Sequence, residues 1–145
     1  MAATHLVAKA LLFDSNDTFL ALTRGDDHPR LAGLYDLPGG GVNKGEEPGE
    51  ALIREIKEET GLSLTLQDVR VLYATTHLIN GRSWPTLLYV ARIDERQPVV
   101  KLSYEHKAYE WAPLSRLADV EPQIAPTYRK ALEYIRDNDI LADIA

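Results

Sequence analysis

Residues Arg54 to Gly61 read REIKEETG, which places three glutamates within five positions. On a helix that turns about 100° per residue, with Glu55 at zero, Glu59 falls near about 40° and Glu58 near about 300°. The three carboxylates therefore share one face. Such a face is either a solvated surface or a place for a cation. Repulsion alone does not decide, because exposed like-charge pairs at this spacing cost only about 0.2–0.5 kcal/mol each. Three glutamates on a helix are more commonly a solvated surface. On the same wheel Leu52, Ile56, Thr60 and Ile53 sweep from about 60° to about 160° and form the stripe expected to face a core. Lys57 and Glu50 point away from both. Arg54 stands at i,i+4 from Glu58, where it can pair with that carboxylate or hold it in position.

The flanking residues supply the elements that position this face. Pro48 suits the first helical position, and Gly61 suits the left-handed residue that ends a helix. The spacing thus predicts a helix over Pro48 to Thr60. Before it, Tyr35-Asp36-Leu37-Pro38 leads into Gly39-Gly40-Gly41, where the backbone can bend sharply or approach a ligand closely. His5 to Phe13 and Thr18 to Thr23 read as strands around the turn-rich Asp14-Ser15-Asn16-Asp17. A long loop with Pro29 follows, from Arg24 to Gly33. Val69 to Leu78 and Pro85 to Ile93 read as strands joined near Asn80-Gly81, a strong hairpin signal. Tyr109 to Trp111 forms a short strand before Pro113. A second helix runs from about Pro126 to Asn138, with Tyr128, Ala131, Leu132 and Ile135 at helical spacing. Strands with two flanking helices predict a mixed sheet between helical layers.

Composition narrows the function. At 145 residues, with 45% hydrophobic and 26% charged residues, the chain fits one globular domain over 1–145 rather than a disordered segment. No apolar run is long enough to span a bilayer, and MAATHLVAKALLF reads as a first strand rather than a signal peptide. The absence of cysteine excludes disulfides, thiolate metal sites and cysteine nucleophiles, and fits a cytoplasmic protein. The formal net charge of −6 argues against stable binding to nucleic acid or to an anionic membrane. Glu46 to Glu59 holds six acids and two bases, a balance of −4. Acidity is therefore local, and a local negative patch suits a metal better than a polyanion.

Gly40, Glu46, Arg54, Glu55, Ile56, Glu58, Glu59, Gly61 and Leu62 fill every fixed place of G-x5-E-x7-R-E-U-x-E-E-x-G-U, where U is aliphatic. At average residue frequencies the chance of such a match is on the order of one in ten million or less. The pattern resembles the Nudix box of the Nudix hydrolases, and Leu37-Pro38-Gly39 and the strand order are similar too. The resemblance implies an α/β fold, an α/β/α sandwich around a mixed β-sheet. It implies hydrolysis of a diphosphate linkage in a nucleoside diphosphate joined to another group, with Mg2+, or Mn2+ in its place, as the metal. It makes Gly40, through its backbone carbonyl, and Glu55, Glu58 and Glu59 metal ligands. It gives Arg54 the task of orienting a glutamate and Glu46 a supporting place nearby.

The general base differs across the family between a box glutamate, here Glu55 or Glu58, and a glutamate on a later loop. Glu105 is the later-loop candidate as base or ligand, and reads equally as an ordinary loop carboxylate. His106 reads as a surface histidine. Glu110 is a weaker competitor, since alternation sends it away from Tyr109 and Trp111. Arg24 stands where the family meets a substrate phosphate, and equally reads as a solvated strand end. Tyr35, His77, Trp84 and Tyr89 read mainly as core or cross-strand packing, and secondarily as stacking partners for a base. Markers of the ADP-ribose, diadenosine-polyphosphate and NADH types are missing: His77 and Ile79 occupy the first two places, and no SQPWPFP-like run occurs. The short chain leans toward a nucleoside triphosphate or similar small nucleotide as its partner, and a homodimer is compatible with it. A noncatalytic nucleotide sensor is the competing reading, which the complete box disfavours.

Overall fold

A computed structural model describes residues 3–27, 35–79, 81–119 and 125–140. Seven strands and two α-helices are described: β1 (Ala3–Phe13), β2 (Thr18–Arg24), β3 (Tyr35–Asp36), β4 (Gly39–Asn43), α1 (Pro48–Thr60), β5 (Val69–Ile79), β6 (Arg82–Arg92), β7 (His106–Pro113) and α2 (Ala125–Asp137). The helix over Pro48 to Thr60 forms with the expected bounds, and Gly61 ends it at φ 76°. Asn80 lies outside the described residues, as do residues 28–34 and the side chains of His77, Tyr128 and Leu132. Residues on either side of Asn80 do pair, Ile79 opposite Arg82, and Gly81 takes φ 76° as a tight hairpin demands.

β1 organises the sheet. Val7 to Phe13 run parallel to Thr86 to Arg92 of β6, while Ala3 to Lys9 run antiparallel to β4 on the other edge. Phe13 reaches Phe19 of β2, and β2 in turn pairs with β3 and β7. The sheet is therefore mixed. A parallel neighbour needs a crossover connection, and the segment between β1 and β6 that makes it contains α1.

Alternation sorts the two faces. Ala8 and Ala10 of β1 and Tyr89 of β6 turn to α1, where they pack with Ala51, Leu52 and Ile56. Leu11, Phe13, Leu88 and Val90 turn the other way and pack with Ala131 and Ile135 of α2. Both faces of β1 are thus covered, which explains its nearly continuous apolar run. The two alanines let α1 lie close to the sheet. Leu12, Leu20, Leu22 and Ala91 are covered by Val100, with Leu102 and Trp111 packed against them. Asp14 is buried at the β1–β2 turn, where its Oδ1 accepts the amides of Asn16 and Thr18 at 3.0 Å each. That bonding is why an aspartate, rather than an apolar residue, ends the strand.

One expectation is corrected. Gly39-Gly40-Gly41 is not a bend but the start of β4, with Lys9 opposite Gly39 and Ala8 opposite Gly40. Two of its three glycines, Gly39 and Gly40, stand where neighbours come too close for side chains.

Candidate active site

The close approach is specific to two glycines. Gly39 sits at φ +128°, and a β-carbon there would lie 2.1 Å from the Ala8 carbonyl oxygen. A β-carbon on Gly40 would lie 2.8 Å from the carboxyl carbon of Glu55. The pairing of β4 with β1 therefore sets the Gly40 backbone directly against a carboxylate of α1.

The three glutamates of α1 do not form one uniform edge. Glu58 is open to solvent, Glu55 is half-buried, and Glu59 is only 2% exposed. Arg54 ties the outer part together. Its Nε and Nη2 reach the two oxygens of Glu46 at 2.9 and 3.0 Å, and its Nη1 reaches Glu55 at 3.0 Å and Glu58 at 3.5 Å. The planar fork suits this bridging, which lysine could not reproduce. Burial pushes the Glu55 carboxyl above its usual range; Arg54 pulls it back, while Glu58 and Glu105 add to the rise. Glu105 is exposed on the loop before β7, yet close enough for its charge to be felt at Glu55. Together with Arg24, Gly25, Asp27, Tyr104 and His106 it lines a cavity of about 220 Å³.

Glu59 belongs to a second, inner group. Its Oε1 accepts the Gly39 amide at 2.8 Å. Its Oε2 lies 3.5 Å from Nδ1 of His106, whose Nε2 lies 3.0 Å from Oδ2 of Asp36. Oδ1 of Asp36 meets Lys9 at 2.9 Å and Arg24 at 3.0 Å. Burial pushes Glu59 up to about 8, an effect that Lys9 and the Gly39 amide oppose and that Asp36 and Glu55 reinforce. Burial also works to raise Asp36, but Lys9, the His106 hydrogen bond and Arg24 outweigh it and hold that carboxylate well below its usual range.

His106 is thus not a surface histidine: it is 5% exposed. It opens β7, where its side chain turns inward to meet the buried Asp36 and Glu59. Arg24 is not a solvated strand end either, since it is paired with Asp36. Lys9 and Asp36 were not picked out from the sequence. The available signal was Lys9 itself, a lone charge inside the apolar run HLVAKALLF, which a buried strand tolerates only with a partner. Among the aromatic candidates, Tyr89 packs toward α1, Trp84 meets His5 edge-on at 5.0 Å, and Tyr35 bonds to Glu110 at 2.5 Å and to Arg116.

The NUDIX domain model matches residues 3–135. The chain belongs to the NUDIX family. It is 29% identical over 133 residues to the RNA pyrophosphohydrolase of Brucella anthropi, covering 77% of this chain and 72% of that one. Among solved structures, the MutT NUDIX hydrolase of Burkholderia pseudomallei is 29% identical, with a TM-score of 0.69 over 90% of this chain and 96% of its own. The MutT protein of Methanosarcina mazei is 26% identical, with a TM-score of 0.73 over 92% and 94%. The protein is a Nudix hydrolase, an enzyme of pyrophosphate bonds, and enzymes of this family use divalent metals.

The residues present fit such an ion. Carboxylates offer hard oxygen ligands, which suit Mg2+, and the space beside Glu55 is kept open by a glycine that a side chain would fill. Asp36, Glu59 and His106 also bring ligand atoms within 4.8 Å of one another. There, however, Lys9 and Arg24 already supply two cations to Asp36.

Proposed function

We propose that this Nudix hydrolase cleaves the diphosphate linkage of a small nucleotide, foremost a nucleoside triphosphate, with Mg2+ held by Glu55, Glu58, Glu59, the Gly40 carbonyl and Glu105. One observation carries the reading: Gly40 and Glu55 touch where the acidic face of α1 meets β4. Bound there, the ion would neutralise the phosphates, polarise a phosphoryl oxygen and lower the pKa of a water.

The chain's own residues do the rest. Arg54 holds one oxygen of Glu55 and leaves the other to face the reacting water. Glu55 is the candidate base on position, since it is the half-buried carboxylate set against Gly40. Glu105 approaches from the opposite loop, either as a further ligand or as the competing base. Arg24 lines the cavity beside Glu105 and supplies positive charge for a phosphate entering it. Positioning and charge neutralisation are most of what phosphoryl transfer asks of a protein.

A nucleotide panel with Mg2+ and product identification tests this. Release of a nucleoside monophosphate with pyrophosphate, or with a phosphorylated second group, is the expected result. The Brucella relative is an RNA pyrophosphohydrolase, so an RNA joins the same panel. The net charge of −6 ranks it below small nucleotides, since a long RNA contact needs a basic surface. Tight nucleotide binding with no turnover under any metal would instead favour the sensor reading.

A further inference from the structure

We propose that Asp36 and His106 act as a positioning pair for Glu59, fixing the inner end of the metal-binding edge and the loop that carries Glu105 in one register. The inference rests on the reading of Glu59 as a metal ligand.

Three elements meet at this point: Asp36 comes from β3, Glu59 from α1, and His106 opens β7 directly after Glu105. Asp36 is immobilised from one side by Lys9 and Arg24. Lys9 is itself pinned, since its ammonium also donates to the carbonyls of Leu37 at 3.1 Å and Gly39 at 3.3 Å. Both ring nitrogens of His106 face carboxylate oxygens, Nε2 toward Oδ2 of Asp36 at 3.0 Å and Nδ1 toward Oε2 of Glu59, and a ring protonated on both nitrogens donates to both. The bond to Asp36 fixes the ring plane and points Nδ1 at Oε2 of Glu59, 3.5 Å away. Nδ1 is buried and has no hydrogen-bond partner among the described residues. Leaving a buried polar atom unpaired is unfavourable. The Glu59 oxygen 3.5 Å away is the acceptor that a small closing movement would give it. From the opposite side the Gly39 amide holds Oε1 of Glu59. The backbone repeats the connection: the Ser103 amide donates to the Glu59 carbonyl at 3.3 Å, and the His106 amide to the Ser103 carbonyl at 3.4 Å. Outer groups of this kind commonly change metal affinity by about 10–100-fold when removed.

The test is Mn2+ binding to the metal-free protein, followed by the electron paramagnetic resonance of free Mn2+, with no nucleotide present. The wild type is compared with Glu59→Gln, His106→Ala, His106→Gln and Asp36→Asn, and cooperative melting establishes that each is folded. The expected result is a large loss in Glu59→Gln and a loss of about 10–100-fold in the His106 and Asp36 variants, with unchanged stoichiometry. Wild-type affinity in folded His106 variants, with Glu59→Gln impaired, overturns the positioning pair and leaves the ligand assignment standing. Unimpaired Glu59→Gln removes the assignment itself. Loss of one whole Mn2+ equivalent in His106→Ala overturns the proposal in favour of direct coordination by His106. Should these variants not fold, the wild type decides through the 15N resonances of the His106 ring. Addition of Mg2+ must shift Nδ1, and an unmoved Nδ1 at saturating Mg2+ overturns the pair.

Discussion

Gly40 and Glu55 are in contact across two elements: a β-carbon on the glycine would sit 2.8 Å from the carboxyl carbon of the glutamate. At its neighbour Gly39, with φ +128°, a β-carbon would instead meet backbone, 2.1 Å from the Ala8 carbonyl oxygen. The two positions should therefore respond differently to the same change. Gly40→Ala displaces the flexible end of one side chain, so its melting temperature stays within a few degrees while kcat falls at least about 10-fold, a modest fraction of a key transition-state contact. Gly39→Ala strains the β1–β4 pairing and costs stability on the order of 1–3 kcal/mol or more. Thermal melts and steady-state rates on the two variants check this; equal effects on both measures would contradict it.

Glu58→Gln and Glu59→Gln are each expected to lower kcat by at least about 100-fold, the scale of losing a charge contact made in the transition state, while the fold survives. The amide is isosteric, and at Glu59 it can still accept the Gly39 amide hydrogen. Circular dichroism establishes the fold and product release gives kcat. Wild-type turnover by both folded variants would remove the metal assignment.

Glu105→Gln separates the loop carboxylate from its neighbours. If Glu105 holds the metal or accepts the proton, kcat falls by a factor comparable to Glu58→Gln. A change of less than about 3-fold, too small for a general base worth about 10²–10⁴, would return Glu105 to the solvent and leave Glu55 as the base.

The metal-free protein should lose stability as pH rises through neutrality. Glu59 is pushed up to about 8 in the folded chain, against an ordinary value near about 4.3 in the unfolded one. Between those values the folded state holds a proton that the unfolded state has released. Its contribution is present below the lower value, falls as pH rises, and is gone above the higher one. The slope is at most about 1.4 kcal/mol per pH unit per proton. Glu55, shifted the same way by burial, adds with the same sign. Lys9 is raised and Asp36 lowered, so both titrate outside this window. Denaturant melts in EDTA between pH 5 and 8.5 should show a shallower slope for Glu59→Gln than for wild type; identical slopes would contradict the assignment.

The sequence announced α1 to the residue, because Pro48, Gly61 and the apolar stripe are local signals that agree. It also held the order of most strands. It did not show that Glu59 is buried, although the wheel places it only about 20° from Leu52. Whether a residue on that border is wet or dry depends on what packs above it. Here that is Gly39 and His106, which arrive from β4 and β7 by pairings of long sequence separation. For the same reason Gly39-Gly40-Gly41 resembled a turn: nothing local says that Ala8 and Lys9 lie alongside it. The cluster around Asp36 was hidden because its members stand far apart in the chain and each alone is unremarkable.

A crystal of the protein soaked with Mn2+ and a nonhydrolysable nucleoside triphosphate, read by the anomalous signal of the metal, locates the ion without recourse to kinetics. Manganese is expected on the carboxylate oxygens of Glu55, Glu58 and Glu59, in contact with the phosphates. Nucleotide in place with manganese absent from that face of α1 would contradict the metal assignment.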